Sequence, residues 1–161
     1  MKLYFLRHGE AEEGKDIEDH DRRLTTNGIE RTSTAAKVMT KLDIVPLYIY
    51  SSPRVRARQT ADILAQQLGM GVDIREELNF SFNLKAVEKL IAELKPEDDV
   101  MFVGHEPSFS ATIGALTGGR VEMKKGGLAR VDVISTFPLR GMLVWLIAPK
   151  IFDVLDSPDE Q

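Results

Sequence analysis

Cysteine is missing from all 161 residues. That absence removes disulfide frameworks, thiolate metal sites and cysteine nucleophiles, and with the last of these every phosphatase that works through a thiolate. An excess of positive charge is missing too. The 21 Lys and Arg stand against 25 Asp and Glu, a formal net charge of -4, which argues against a broad nucleic-acid surface. No HExxH motif, nucleotide P-loop or dense His/Asp cluster is found, so neither a metal nor another cofactor is expected. The first apolar run, Leu3 to Leu6, is too short for a signal peptide or a spanning helix, so a cytoplasmic protein with no membrane or nucleic-acid partner is expected. There is no internal repeat or low-complexity stretch. The composition, 43% hydrophobic and 29% charged, is that of an ordinary globular chain. One domain over residues 1–156 and a disordered tail over 157–161 are expected. The pattern shows no surplus apolar face, so it leaves the oligomeric state open.

What is present alternates in period. Leu3 to Leu6, Leu47 to Tyr50, Val72 to Ile74 and Val100 to Val103 are apolar runs bounded by turn residues and read as strands. Between them lie helical stripes. Ile29, Ala36, Met39 and Leu42 form the first, with Asn27 and Glu30 spaced as a capping box. Ala57, Ala61, Leu64 and Leu68 form the second, ended by Gly69. Leu84, Val87, Ile91 and Leu94 form the third, and Phe109, Ile113 and Leu116 the fourth, closed by Gly118 and Gly119. The last third changes to strand periodicity, with Val131, Val133 and Ser135 alternating, a turn over residues 137–141, and a buried strand from Leu143 to Ile147. The pattern predicts an α/β fold: a three-layer α/β/α sandwich with a mostly parallel central sheet and an antiparallel C-terminal hairpin.

In such sheets ligands bind at the carboxyl ends of the strands. Arg7, His8 and Gly9 directly follow the first strand, a Ser51-Ser52-Pro53-Arg54-Val55-Arg56 junction follows the second, and Gly104-His105-Glu106-Pro107-Ser108 follows Val103. Arg7, His8, Arg56 and His105 are therefore expected on one rim. These residue types suit a phosphoryl group. An arginine fork matches two phosphate oxygens and stays charged at any working pH, a helix opened near Ser108 points N–H groups towards an anion, and a neutral histidine nitrogen can attack phosphorus. Gly9 would let the backbone pass close to the ligand. Each residue also has an ordinary alternative: a surface Arg–His pair, a helix-capping His105, or a solvated basic face at Arg54, Arg56 and Arg58. Together those alternatives require a coincidence at three separate junctions.

"LRHGEA", "SSPRVRARQTADIL" and "VGHEPSFS" resemble the histidine phosphatase superfamily. "DHDRRLTTNG", "LARVDV" and the closing hairpin are similar to its SixA-type phosphohistidine phosphatases, with the likeness running from Met1 to about Ala148. The resemblance implies that His8 is the phosphorylated nucleophile, that Arg7 and Arg56 bind phosphate oxygens, and that His105 donates a further hydrogen bond. Arg56 is chosen because the family's arginine precedes the small residue of "RAxQT", which leaves Arg54 and Arg58 as surface charges. Arg22 or Arg23 would shape the mouth. The implied substrate is a phosphorylated protein carrying phosphohistidine on a histidine-phosphotransfer domain.

Relatives that act on alkyl phosphates also use a carboxylic acid to protonate the leaving oxygen. The candidate is Glu77 in "IREELNFSF", against an ordinary exposed loop glutamate. An imidazole, with a conjugate-acid pKa of about 6.5, departs without such help where an alkoxide does not. The alternatives are a phosphatase for a small phosphoester and a non-catalytic phosphate-binding module. His20, between Asp19 and Asp21, reads as a structural hydrogen-bonder, and Lys124 and Lys125 as either a docking patch or a solvated loop.

Overall fold

The computed structural model describes residues 1–157. Of the expected tail, residues 158–161 lie outside the described residues, while Ser157 still donates its N–H to Val154 at the end of the last helix. The architecture is the expected three-layer sandwich. In chain order it runs β1 (Lys2–Arg7), α1 (Thr26–Lys41), β2 (Tyr48–Ser51), α2 (Val55–Leu68), β3 (Asp73–Ile74), α3 (Leu84–Ile91), β4 (Val100–Gly104), α4 (Ser108–Thr117), β5 (Leu128–Thr136), β6 (Leu139–Ile147) and α5 (Pro149–Asp156), with 3-10 turns at Asp19–Asp21 and Glu76–Leu78. The six-stranded sheet has the order β3-β2-β4-β1-β5-β6. Its first four strands are parallel and its last two antiparallel.

Alternation along the strands builds a core on each face. Leu3 and Phe5 of β1 join Phe82, Val87, Leu90, Phe102 and Phe109 on the side of α3 and α4. Tyr4 and Leu6 point the other way, to Ala35, Met39, Ala57, Leu64 and Phe152 on the side of α1, α2 and α5. Phe5 meets Phe102 and Phe109 edge-on, with ring centroids 5.5 and 5.4 Å apart, an arrangement that aromatic quadrupoles favour over a flat stack. Because β2, β4 and β1 are neighbours in parallel register, with Ser51 beside Val103 and Arg7 beside Gly104, their carboxyl ends open at one edge.

Several local expectations change. The N-cap of α1 is Thr25, whose hydroxyl accepts the Gly28 N–H at 2.9 Å; Asn27 instead donates to Glu10. The buried face of α1 starts at Gly28, not Ile29: the Glu10 carbonyl packs where a Gly28 Cβ would sit. Ile29 is consequently exposed, and Leu42, the C-cap beyond the last helical residue, is exposed as well. The third helix stops at Ile91, and β3 is only the exposed pair Asp73–Ile74. The expected buried strand at Leu143–Ile147 is the sheet edge, where Met142, Val144 and Leu146 face outward. An unforeseen α5, begun by Pro149, covers α1 with the fully buried Phe152. Among the described residues no helix is long and apolar enough to cross a membrane.

Candidate active site

His8 leaves the end of β1 under tight backbone control. Its N–H donates to the Gly104 carbonyl at 3.0 Å, and its own carbonyl accepts from Gly126 at 3.0 Å. Gly9 turns the chain beneath it. A Cβ there would lie 2.8 Å from the Thr32 hydroxyl, so any larger residue would force Thr32 to shift. The Gly9 N–H donates to Thr60 Oγ1 at 3.1 Å, and Thr60 in turn donates to the Arg56 carbonyl at 2.8 Å. The β1 junction and the first turn of α2 are thereby locked together.

The His8 ring is buried, with Nδ1 2.8 Å from the Gly9 carbonyl. A carbonyl only accepts, so Nδ1 carries the proton and Nε2 keeps its lone pair. Burial lowers the His8 pKa to about 4; the Gly9 hydrogen bond opposes this, and the charges of Arg56, Arg7 and Lys125 add to it. The ring is neutral at ordinary pH, the state a nucleophile needs.

Arg56 opens α2 with its side chain buried, and its Nε lies 3.4 Å from His8 Nε2. Nη1 donates to the Asp19 carbonyl at 2.9 Å and Nη2 to the Asp19 carboxylate at 3.2 Å. Arg7 donates through Nη1 to the Met123 carbonyl at 2.8 Å, while its buried Nε has no partner. His105 follows β4, its ring centroid 5.2 Å from that of His8. Its Nε2 is 2.7 Å from Ser52 Oγ, and its Nδ1 is buried without a partner. Burial first, then His8 and Arg56, push His105 down to about 3. A neutral His105 can present Nδ1–H to an anion if the Ser52 hydroxyl donates to Nε2.

The four expected residues are thus together, with orphaned donor positions on Arg7 and His105. The helix-terminus donor is not free in the same way: the Glu106 carboxylate accepts the Ser110 N–H at 2.7 Å at the start of α4. Glu77 stands apart from this chemistry. It pairs with Lys89 at 2.9 Å, and Lys89, followed by its own backbone hydrogen bond, lowers its pKa. A proton donor needs the opposite shift. His20 is exposed and bonds only Asp21, and Lys124 pairs with Glu122. A cleft of about 630 Å³ lies beside His8 rather than over it, lined by Arg7, Gly9, Thr60, Met39, Lys124 and Lys125.

Other site residues were not anticipated. Arg54, expected as a surface charge, is largely buried; it pairs with Asp19, donates to Asn79 Oδ1 at 2.7 Å, and stacks 3.7 Å over Phe80. Arg58 is exposed, as expected. Asp19 collects Arg54, Arg56 and Arg22. Burial raises its pKa, but those arginines outweigh burial and hold it below the usual carboxylate range. Arg22 therefore acts on the mouth through Asp19, whereas Arg23 is exposed. Among the described residues no three His, Cys, Asp or Glu side chains gather as a metal site.

Two cationic forks and two neutral imidazoles around one lone pair handle the charge of a phosphoryl group, the equipment of an enzyme that moves phosphate through histidine. Known proteins place it more closely. Residues 3–81 match the histidine phosphatase superfamily (branch 1). The phosphohistidine phosphatase SixA of Escherichia coli is 31% identical over 149 residues, 92% of this chain and 75% of that one. An uncharacterized protein of Picosynechococcus is 37% identical over 136 residues, 80% of this chain and 82% of its own length. The solved structure of the protein histidine phosphatase SixA complexed with tungstate shares the fold, with a TM-score of 0.84 at 22% identity over 94% of this chain and 99% of that one. The chain belongs to the histidine phosphatase superfamily.

Proposed function

We propose that this phosphatase removes the phosphoryl group from phosphohistidine on a protein, a histidine-phosphotransfer domain in the cytoplasm, through a covalent intermediate on His8 Nε2. The observation that carries the reading is the buried, neutral His8, whose Nδ1 proton is held by the Gly9 carbonyl while Nε2 faces the Arg56 guanidinium. In the first step a bond forms from Nε2 to phosphorus as the bond to the substrate's ring nitrogen breaks, and that nitrogen takes the electron pair. A substrate ring protonated on its other nitrogen leaves as neutral imidazole. In the second step water attacks phosphorus, His8 Nε2 recovers its pair, and phosphate leaves, the water's proton passing to solvent or to the phosphate. Arg7, Arg56 and His105 balance the charge on the transferring oxygens throughout, so the reaction as written calls on no metal.

The carboxylates near the rim favour an imidazole leaving group over an alkoxide. Asp19 is engaged by arginines, Glu77 by Lys89, and Glu106 by Ser110. Asp19 and Glu77 are both held below the usual carboxylate range, so neither keeps a proton for an alkoxide, and an imidazole does not require one.

The test is the intact mass of rapidly quenched enzyme, wild type and His8→Ala. It is mixed with a phosphohistidine-bearing phosphotransfer domain and, separately, with an alkyl phosphomonoester. An acid-labile phosphate is expected on the wild type only, loaded faster by the phosphohistidine protein. Faster loading by the phosphomonoester would move the substrate to small phosphoesters. Absence of any adduct and of any turnover would leave a phosphate-binding module.

A further inference from the structure

Phe80 is half exposed at the mouth of a site that otherwise hides its aromatic rings. The exposure is built. Leu78 and Phe82 on either side are core residues, 0% and 3% exposed, and pin the segment to the sheet. Asn79 then fixes the turn: its Oδ1 accepts both the Phe80 N–H at 2.9 Å and the Arg54 Nε–H at 2.7 Å. Arg54, itself held by Asp19, lies on one ring face with its guanidinium carbon 3.7 Å from the centroid. The ring also stands edge-on to His105, with centroids 4.9 Å apart, and the Arg56 guanidinium carbon is 5.7 Å away. An apolar ring so placed adds nothing to phosphate binding. It does adjoin the two groups assigned to the phosphate, on the solvent side where a leaving group must be.

We propose that Phe80 is a specificity residue: a platform against which the flat ring of the leaving group, the imidazole of phosphohistidine, packs while the phosphoryl group sits between His8, Arg56 and His105. This rests on the reading of the substrate given above and adds to it the means by which a planar ring is told from an amine or an alkyl chain. Aromatic pairs gain beyond their buried area when stacked offset or edge-to-face. Arg54 backs the ring, and Asp19 and Asn79 hold Arg54, so the platform is set before substrate arrives.

The experiment compares two substrates that share a phosphorus–nitrogen bond and differ in the ring: N-phosphoimidazole and phosphoramidate. Each is measured with wild type, Phe80→Leu and Phe80→Tyr, and each variant is referred to wild type so that intrinsic reactivity cancels. Phe80→Leu is expected to lower kcat/KM for N-phosphoimidazole about three- to tenfold, leave phosphoramidate within about twofold, and be rescued by Phe80→Tyr. An equal loss on both substrates would reduce Phe80 to a prop for Arg54 and His105 and overturn the proposal, as would no loss on either. Wild type that loads His8 from an alkyl phosphomonoester but turns over neither phosphorus–nitrogen compound would instead overturn the substrate reading, and the platform with it.

Discussion

The site is assembled from two kinds of backbone. At the ends of β1, β2 and β4 the functional side chains hang from strands whose register is fixed by parallel pairing: Arg7 beside Gly104, Ser51 beside Val103. The segments around Asp19 and Phe80 belong to no strand. They are tied on by Glu12 to Arg23 and Thr25 to Glu10 backbone bonds in one case, and by the buried Leu78 and Phe82 in the other. The strand ends and the opening of α2 carry the groups proposed to meet the phosphoryl oxygens. The loops carry groups that act on those groups, Asp19 on Arg56 and Phe80 beside His105. On the proposed reading charge chemistry sits on the rigid part, and selectivity on the Phe80 loop, whose anchoring is side chain by side chain.

The division is tested most severely at the start of α2, where Arg56 and Arg58 share a helix but not an environment. Arg56 is 4% exposed and reaches His8, whereas Arg58 is exposed. Arg56→Ala is expected to reduce kcat/KM about 10²- to 10³-fold, and Arg58→Ala to change it less than about twofold. Comparable losses would mean that a diffuse positive field, not a fixed fork, binds the substrate.

Acid should expose the other consequence of the rigid part, its dryness. The profile of kcat/KM follows ionisations of the free enzyme. A histidine at its ordinary pKa of about 6.5 would cost roughly tenfold per pH unit below that value. With burial lowering His8 to about 4, protonation of this ring should leave the rate level down to that region. Nitrogen NMR of the imidazole checks the same point directly, with the neutral Nδ1–H form expected through pH 5. Stability moves in step. The unfolded His8 takes up a proton near 6.5 and the folded one only near 4, so its contribution is full above the upper value and declines as pH falls through that window. A ring that titrates near 6.5 in the folded enzyme would refute the buried geometry.

Legibility in the sequence follows the same division. Arg7, His8 and His105 could be placed because each follows an apolar run that announces a strand, and chain position then sets the rim. Which arginine of the α2 opening turns inward is indicated only by family likeness, and Arg54 reads as a surface charge because its partners, Asp19 and Asn79, are distant in the chain. Asp19 was hidden in a run of acids, where nothing local marks the one that meets arginines. Ser52 gave no local sign either, since a serine at a strand end serves turns as readily as it holds a histidine. β6 looked buried because an apolar edge strand and an apolar central strand share a pattern and differ only in neighbours. The Pro149 start of α5 was a usable signal, since proline favours the first turn of a helix.

A smaller effect is expected at Asp19, the link between loop and strand end. Its carboxylate lies 3.2 Å from Arg56 Nη2, so it both steadies the guanidinium and opposes an incoming anion. Asp19→Asn removes the negative charge and keeps much of the shape. Inhibition by inorganic phosphate is therefore expected to tighten about fivefold, as one like charge near the bound anion is lost. Weaker inhibition would show that steadying the fork outweighs the repulsion, and would move Asp19 into the group that binds phosphate.

The smallest effect should come from Glu77, on the same segment as Phe80 but paired with Lys89. Lys89 at 2.9 Å holds it as a carboxylate, so it has no proton to give at neutral pH, and the imidazole leaving group of the proposed substrate asks for none. Glu77→Gln keeps the size and removes the charge. Turnover of a phosphohistidine protein should stay within about twofold, and stability within about 1 kcal/mol, since a partly exposed ion pair contributes little. A loss above tenfold confined to alkyl phosphomonoesters would show that Lys89 releases Glu77 when substrate binds. In that event one loop would supply both the ring that selects a substrate and the acid that completes the reaction on another.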